Sequence, residues 1–373
     1  MPSAKTIQPM RNTRNRPQLS HPIKFRNLRH LVITIIFAIC LASCKDSDEP
    51  DVSDIKVNLE MQRFEQDFFA IDTNDLNGSL AKLQEKYPVF LGDFIQKVLG
   101  LPPLSAGLPE TRTLITKFLS DYRPIKDSTD QVFKNIDKSK EAITEGLKYV
   151  KRYFPAYKTP GKLITFIGPM DAYFEASTAG YGDALTTDAL IIGLQLHLGS
   201  NFSLYRSEMG QALFPAYISR KFSPEYIPVN ALKNIVDDLY PENTVGKSLV
   251  EKMVEKGKRL YLLDKFLPHT ADTLKIGYTE KQLKGSYDNE GLIWNFILTN
   301  SLAYNTDPSI IKGYIGEAPN TAELGEGSPG YIGLFIGRQI VRKYMEKNPK
   351  TTLTELMKLD PKKLFELSKY RPG

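Results

Sequence analysis

Cysteine and histidine are scarce in this chain, with two and four residues in 373. Both cysteines, Cys40 and Cys44, lie near the N-terminus. From residue 45 onward there is therefore no disulfide, no thiol nucleophile and no thiolate ligand. His21 and His30 are N-terminal too, which leaves only His197 and His269 in the body of the chain. A zinc site needs three or four converging ligands. Here the most that can be assembled is His197, His269 and Glu290, and neither histidine has a partner one helical turn away. No metal and no cofactor is expected. A sustained positive charge is also missing. The formal charge is +6, but Lys5, Arg11, Arg14, Arg16, Lys24, Arg26 and Arg29 fall before residue 31, where there is no acid; without them 42 basic residues face 43 acidic ones, a net of −1. A near-neutral body gives no reason to expect nucleic acid binding, which needs a sustained basic face. Long apolar runs are absent as well. The 13 residues Leu31–Ser43 fall short of the roughly 20 that span a bilayer as a helix.

That short run behind a basic segment is the pattern of a signal peptide, residues 1–43. It ends Leu41-Ala42-Ser43-Cys44, which resembles the bacterial lipobox. The resemblance implies that Cys44 is lipidated and becomes the mature N-terminus, attached to the outer membrane of the cell envelope. A plain signal peptide followed by a chance cysteine is the alternative. Residues 44–54 carry Lys45-Asp46-Ser47-Asp48-Glu49-Pro50-Asp51, a polar, flexible tether. Residues 55–373 contain no polar linker or repeat and are expected to form one domain.

Within it, Ile55, Val57, Leu59 and Met61 alternate with polar residues and predict a strand. Helices are expected around Leu76–Tyr87, Val89–Leu101, Ser128–Phe154, Lys247–Leu267 and Glu290–Tyr304. Ser223-Pro224 and Asp360-Pro361 place a capping residue before a proline at the first helical position. In the centre, Leu163–Ile167 and Leu190–Leu194 are short apolar strand-like runs, followed by a helical stretch Phe214–Phe222. The class predicted is α+β, predominantly helical, with a small β-sheet.

Tyr153-Phe154-Pro155, Thr178–Asp188, Phe214-Pro215-Ala216-Tyr217 and Ser328-Pro329-Gly330-Tyr331-Ile332-Gly333 together resemble the gliding motility lipoprotein GldB family of the Bacteroidetes, over essentially the whole mature chain. The resemblance implies a lipoprotein working with the gliding motility or secretion machinery. The family is remotely similar to zincin-type metallopeptidases that keep His-Glu-x-x-His, in which residues four apart on a helix grip one zinc. Phe214–Phe222 stands in that helix's place without histidine or glutamate. The resemblance thus implies a zincin-like fold that has lost its metal, with a remnant cleft lined by Phe214, Tyr217, Ile218, Arg220 and Glu290. Lysine and acids directly behind the lipidated cysteine also resemble a surface-export signal in these bacteria; an ordinary solvated linker is the alternative.

Other candidates have bland counterparts. Asp171, Glu175, Asp183 and Asp188 crowd the central block and could include a catalytic carboxylate pair, or could hydrogen-bond their own turns. His197 is more in keeping with a packed or capping residue than a ligand, and Arg220 with a surface ion pair. The glycine loop 325–330 could hold an anion at a helix start; a packing role, with Ser328 as cap and Pro329 as first helical residue, is the simpler reading. The function expected is a non-catalytic envelope component of gliding motility. An envelope hydrolase, or a lipoprotein binding peptide or glycan at its surface, is the competing class.

Overall fold

A computed structural model describes residues 49–171 and 182–372. The signal segment, Cys44 and Glu175 lie outside the described residues. The chain from Asp51 on is one compact unit. Its strands are β1 (Glu60–Arg63), β2 (Lys162–Phe166), β3 (Ala184–Leu185) and β4 (Ala189–Gly193), in the sheet order β1-β2-β4-β3. The helices used below are α1 (Phe64–Phe69), α2 (Arg123–Val132), α3 (Asp137–Tyr153), α4 (Ala216–Ser219), α5 (Ile227–Leu239), α6 (Leu249–Phe266), α7 (Glu280–Asp288), α8 (Glu290–Thr299), α9 (Ile332–Lys347) and α10 (Pro361–Ser368). The chain is a predominantly helical α+β protein, as its sequence predicts.

The two central apolar runs pair with each other. β1, β2 and β4 are parallel, with Leu163 opposite Leu190 and Thr165 opposite Ile192, and β3 closes the edge antiparallel. Parallel strands covered on both faces are apolar throughout, and alternate residues serve opposite cores. Leu163, Leu190 and Ile192 join the large helical core; Ile164, Phe166 and Ile191 join a smaller one. That second core is rich in rings: Phe64 lies 5.0 Å from Tyr87 and 4.9 Å from Phe90 edge-on, and Phe94 lies 6.1 Å from Phe166. Burying each phenylalanine contributes about 1.5–3 kcal/mol.

Three expected elements are drawn differently. The first strand begins at Glu60, because its neighbour begins at Lys162; Ile55 and Val57 pack on the core without a ladder partner. The predicted helix Ser128–Phe154 is two helices, α2 and α3. Asn135 Oδ1 accepts the backbone N–H of Asp137 at 2.7 Å, a local turn that outcompetes continued helix while Phe133 and Ile136 stay buried. Ser328 does not cap α9. Its hydroxyl accepts the Thr321 N–H at 3.1 Å and lies 2.7 Å from Gly325 O, tying the glycine loop together, and Tyr331 takes the N-cap position with φ 63°.

Two long helices, α6 and α9, cross at glycines. A Cβ on Gly337 would stand 1.7 Å from Met253 O, and one on Gly257 would stand 2.2 Å from the Gly337 carbonyl. One residue on, Arg338 is wholly buried. Its Nε and Nη2 meet Asp264 at 2.8 and 2.6 Å, and Nη2 meets Asp272 at 2.7 Å. Lys275 and Arg342 share the same two carboxylates.

Candidate functional site

Beside the sheet's C-terminal end, α4, α5 and α6 enclose a cavity of about 390 Å³ with the segments 275–278, 317–318 and 330–334. The α5 wall is a stripe at helical spacing, Tyr226, Asn230, Lys233 and Asp237, residues that share one face of a helix. The opposite faces of α5 are buried through Ile227, Val229, Leu232 and Ile235. From α6 come Lys256, Arg259, Leu260 and Leu263 at the same spacing.

The cavity is cationic and phenolic. Arg220, Lys221, Lys233, Lys256, Arg259 and Lys275 line it against Asp237, Glu242 and Glu317, with Tyr217, Tyr226, Tyr278 and Tyr331 between them. Every acid is spoken for. Lys221 pairs with Glu317, Arg259 with Asp237, and Lys256 with Glu242 at 2.7 Å. Lys275 turns to Asp264 and Asp272. Arg220 is held by neutral groups, donating from Nε to Tyr217 O, from Nη1 to Gln282 Oε1 on α7 and from Nη2 to Gly277 O at 3.1, 3.0 and 2.8 Å. Lys233 has neither hydrogen bond nor ion pair among the described residues. Burial, with Lys221 adding to it, pushes the Lys233 ammonium down to about 8.

His197 also lines the cavity and belongs to a buried charge pair. His197 Nε2 is 2.8 Å from Asp183 Oδ2 and Nδ1 is 3.2 Å from the Ser223 carbonyl. Both partners accept, so a doubly protonated ring satisfies both contacts. Asp183 also accepts from Asn230 Nδ2 at 2.9 Å and from the Gly193 N–H at 3.0 Å. Burial alone lowers the ring's proton affinity, but the Asp183 charge and these hydrogen bonds outweigh it and hold His197 above its ordinary value. A group raised on folding stabilises the fold fully below its unfolded value, about 6.5, and that contribution is lost as pH rises through the folded value. Urea unfolding should therefore show stability falling from pH 6 upward, with His197→Gln flattening the slope. Lys233 has the opposite sign, its lowered value adding stability between about 8 and about 10.4, so the slope is read below pH 8. Stability that rises from pH 6 to 8 in the native chain, or an unchanged slope in His197→Gln, would contradict the assignment.

The cavity receives only part of the cleft expected from sequence. Tyr217 and Arg220 line it. The helix expected over Phe214–Phe222 runs only from Ala216 to Ser219, because Phe214 is extended and Pro215 is the N-cap; Phe214 before α4 and Ile218 within it are both buried in the helical core, and Phe214 packs on Phe222 with ring centres 5.0 Å apart. Glu290 is elsewhere. Its carboxylate accepts from Tyr370 OH at 2.6 Å and Gln339 Nε2 at 2.8 Å, because α8 packs its Trp294 against the C-terminal Phe365 and Tyr370. His269 is exposed beside Glu145, so His197, His269 and Glu290 do not converge. Among the described residues no group of three or more histidine, cysteine or acidic side chains is placed to hold a metal ion. Of the three central acids among the described residues, Asp188 pairs with Lys162 at 2.9 Å at the surface and Asp183 backs the cavity through His197.

Sequence reasoning missed Lys233, Lys256, Arg259 and Tyr278. The signal available was the stripe 226, 230, 233, 237, polar residues on one line of an otherwise apolar helix. Three stretches that carry the family resemblance meet here: Asp183 behind His197, Tyr217 on α4, and Gly330-Tyr331 at the start of α9. Gly330 allows that approach, since a Cβ there would lie 2.1 Å from Ala318 O. Tyr331 is held left-handed while its carbonyl accepts from Tyr278 OH at 3.0 Å.

Fold and cavity define a helical α+β protein built around a tyrosine-lined basic cavity. Among the described residues no helix is long and apolar enough to cross a membrane. The chain belongs to the gliding motility protein GldB family, which it matches over residues 45–372. No curated protein and no solved structure matches it.

Proposed function

We propose that this chain is a non-catalytic lipoprotein of the gliding motility apparatus, tethered through lipid on Cys44 to the outer membrane and working beside other motility or secretion proteins. The family match, which begins one residue after Cys44, carries the reading. Leu41-Ala42-Ser43-Cys44 supports the anchor, since lipobox processing supplies more than one acyl chain and stable attachment takes more than one. The non-catalytic role is supported by α4. Phe214 and Ile218, the two residues that a zincin-like reading of the sequence would put in place of the histidine ligands, are packed into the core.

Cys44→Ser tests the anchor. The variant should appear in the soluble fraction or accumulate unprocessed, and gliding should stop; wild-type amounts in the outer membrane would refute it. Metal analysis tests the rest. Stoichiometric zinc in the purified chain that disappears in His197→Ala would overturn the non-catalytic role.

A further inference from the structure

We infer that the cavity between α4, α5 and α6 binds a small organic oxyanion, a phosphate monoester or a carboxylate, whose head is met by Lys233 and Arg220 and whose apolar body lies against Tyr217, Phe222, Tyr226 and Leu260. The inference is independent of the anchor and of the absence of catalysis.

Charge balance comes first. Leaving Lys275 to its own carboxylates, five cations of the wall face three acids, and each acid pairs directly with a cation other than Lys233 or Arg220; Glu317 and Asp237 reach Lys233 only through space, so the wall keeps an excess of two positive charges. A lone ammonium removed from bulk water is costly unless an anion accompanies it. The donors agree with the charges. Lys233 offers three N–H groups with no acceptor, and Arg220 uses three of its five, leaving one on Nη1 and one on Nη2. Five free donors from two cations suit the several acceptor oxygens of a phosphate or carboxylate. Volume and lining set the rest of the ligand. About 390 Å³ is the size of a small-molecule site, in which a few polar groups orient a mainly apolar ligand. Arg220 is also pre-positioned, since its three protein contacts fix the guanidinium before any ligand arrives. Acids that would repel such a ligand are held by their own partners.

Calorimetric titration of the full chain in detergent, at pH 8, with phenyl phosphate and separately with benzoate tests this. At least one should bind at one site per chain. Binding should take up protons, because an anion beside Lys233 restores its charged form; the observed heat will then change with the ionisation enthalpy of the buffer. Lys233→Met should weaken binding roughly tenfold, the loss expected for one charge-assisted contact, and abolish the proton uptake. Tighter binding of phenyl phosphate identifies a phosphate head, and tighter binding of benzoate a carboxylate. Absence of binding by both overturns the proposal. So does binding without proton uptake, a readout that needs only the native chain should Lys233→Met fail to fold.

Discussion

Alanine at Gly337 is expected to leave the chain unfolded or insoluble. The added methyl would sit 1.7 Å from Met253 O and 2.5 Å from Met253 C, both in the backbone of α6, where no rotamer change relieves the clash. Gly257 faces the same contact from the other side. Overpacking that side chains can absorb costs about 1–3 kcal/mol. Here α6 and α9, of 18 and 16 residues, would have to part along faces that are buried throughout. We expect a loss of about 3 kcal/mol or more, from a total that in proteins is about 5–15 kcal/mol. Gly285, in the exposed helix α7 with nothing within 4 Å of its would-be Cβ, is the control. Gly285→Ala should gain about 0.5–1 kcal/mol. Urea unfolding followed through circular dichroism compares them, and a Gly337→Ala midpoint equal to the native one would show that the helices separate freely.

The second large effect is asymmetric. Arg338, Lys275 and Arg342 share Asp264 and Asp272, three cations on two carboxylates. Asp264→Ala would leave three cations on one acid, with Arg338 wholly buried; breaking a buried pair in this way costs about 3–5 kcal/mol. Arg338→Met would instead leave two cations on two acids and fill most of the volume. Its cost should be under about 1.5 kcal/mol, as for replacement of a buried ion by an apolar group of similar size. Denaturation midpoints of the two variants decide it. Equal losses, or a larger one for Arg338→Met, would show that the network is not governed by its excess positive charge.

What the sequence made legible was set by local patterns. β2 and β4 appear as apolar runs because both of their faces are covered, and Pro361 and Pro224 mark helix starts because proline loses nothing there. Asp360 Oδ1 does accept the Lys363 N–H, at 2.9 Å. The break at Phe133–Ile136 was not legible, since both residues continue the apolar stripe and the turn depends on one side-chain oxygen at Asn135. Ser328 has the spacing of a cap, but its hydroxyl is taken by Thr321, seven residues back. The cavity was half visible. Tyr217 and Arg220 follow from their place after the second strand. Glu290 seemed to match a ligand only through its order in the chain, and order says nothing of Tyr370, which claims its carboxylate from 80 residues away. Lys233 escaped notice because a lysine every turn or two is ordinary for a solvated helix; its meaning lies in the acids around it that already have partners, and those come from other segments.

The sheet that divides the two cores also sets an order of assembly. Glu60 pairs with Lys162 and Arg63 with Thr165, so β1 waits for roughly a hundred residues of intervening chain, and long-range parallel pairing is slow because loop closure must precede its reward. The helices between Phe64 and Leu119 can gather their rings meanwhile, but the face that Ile164, Phe166 and Ile191 supply arrives later. Until β2 and β4 emerge, that aromatic cluster is an open, sticky surface. The interval before residue 193 has been made is the one in which a holding chaperone matters most.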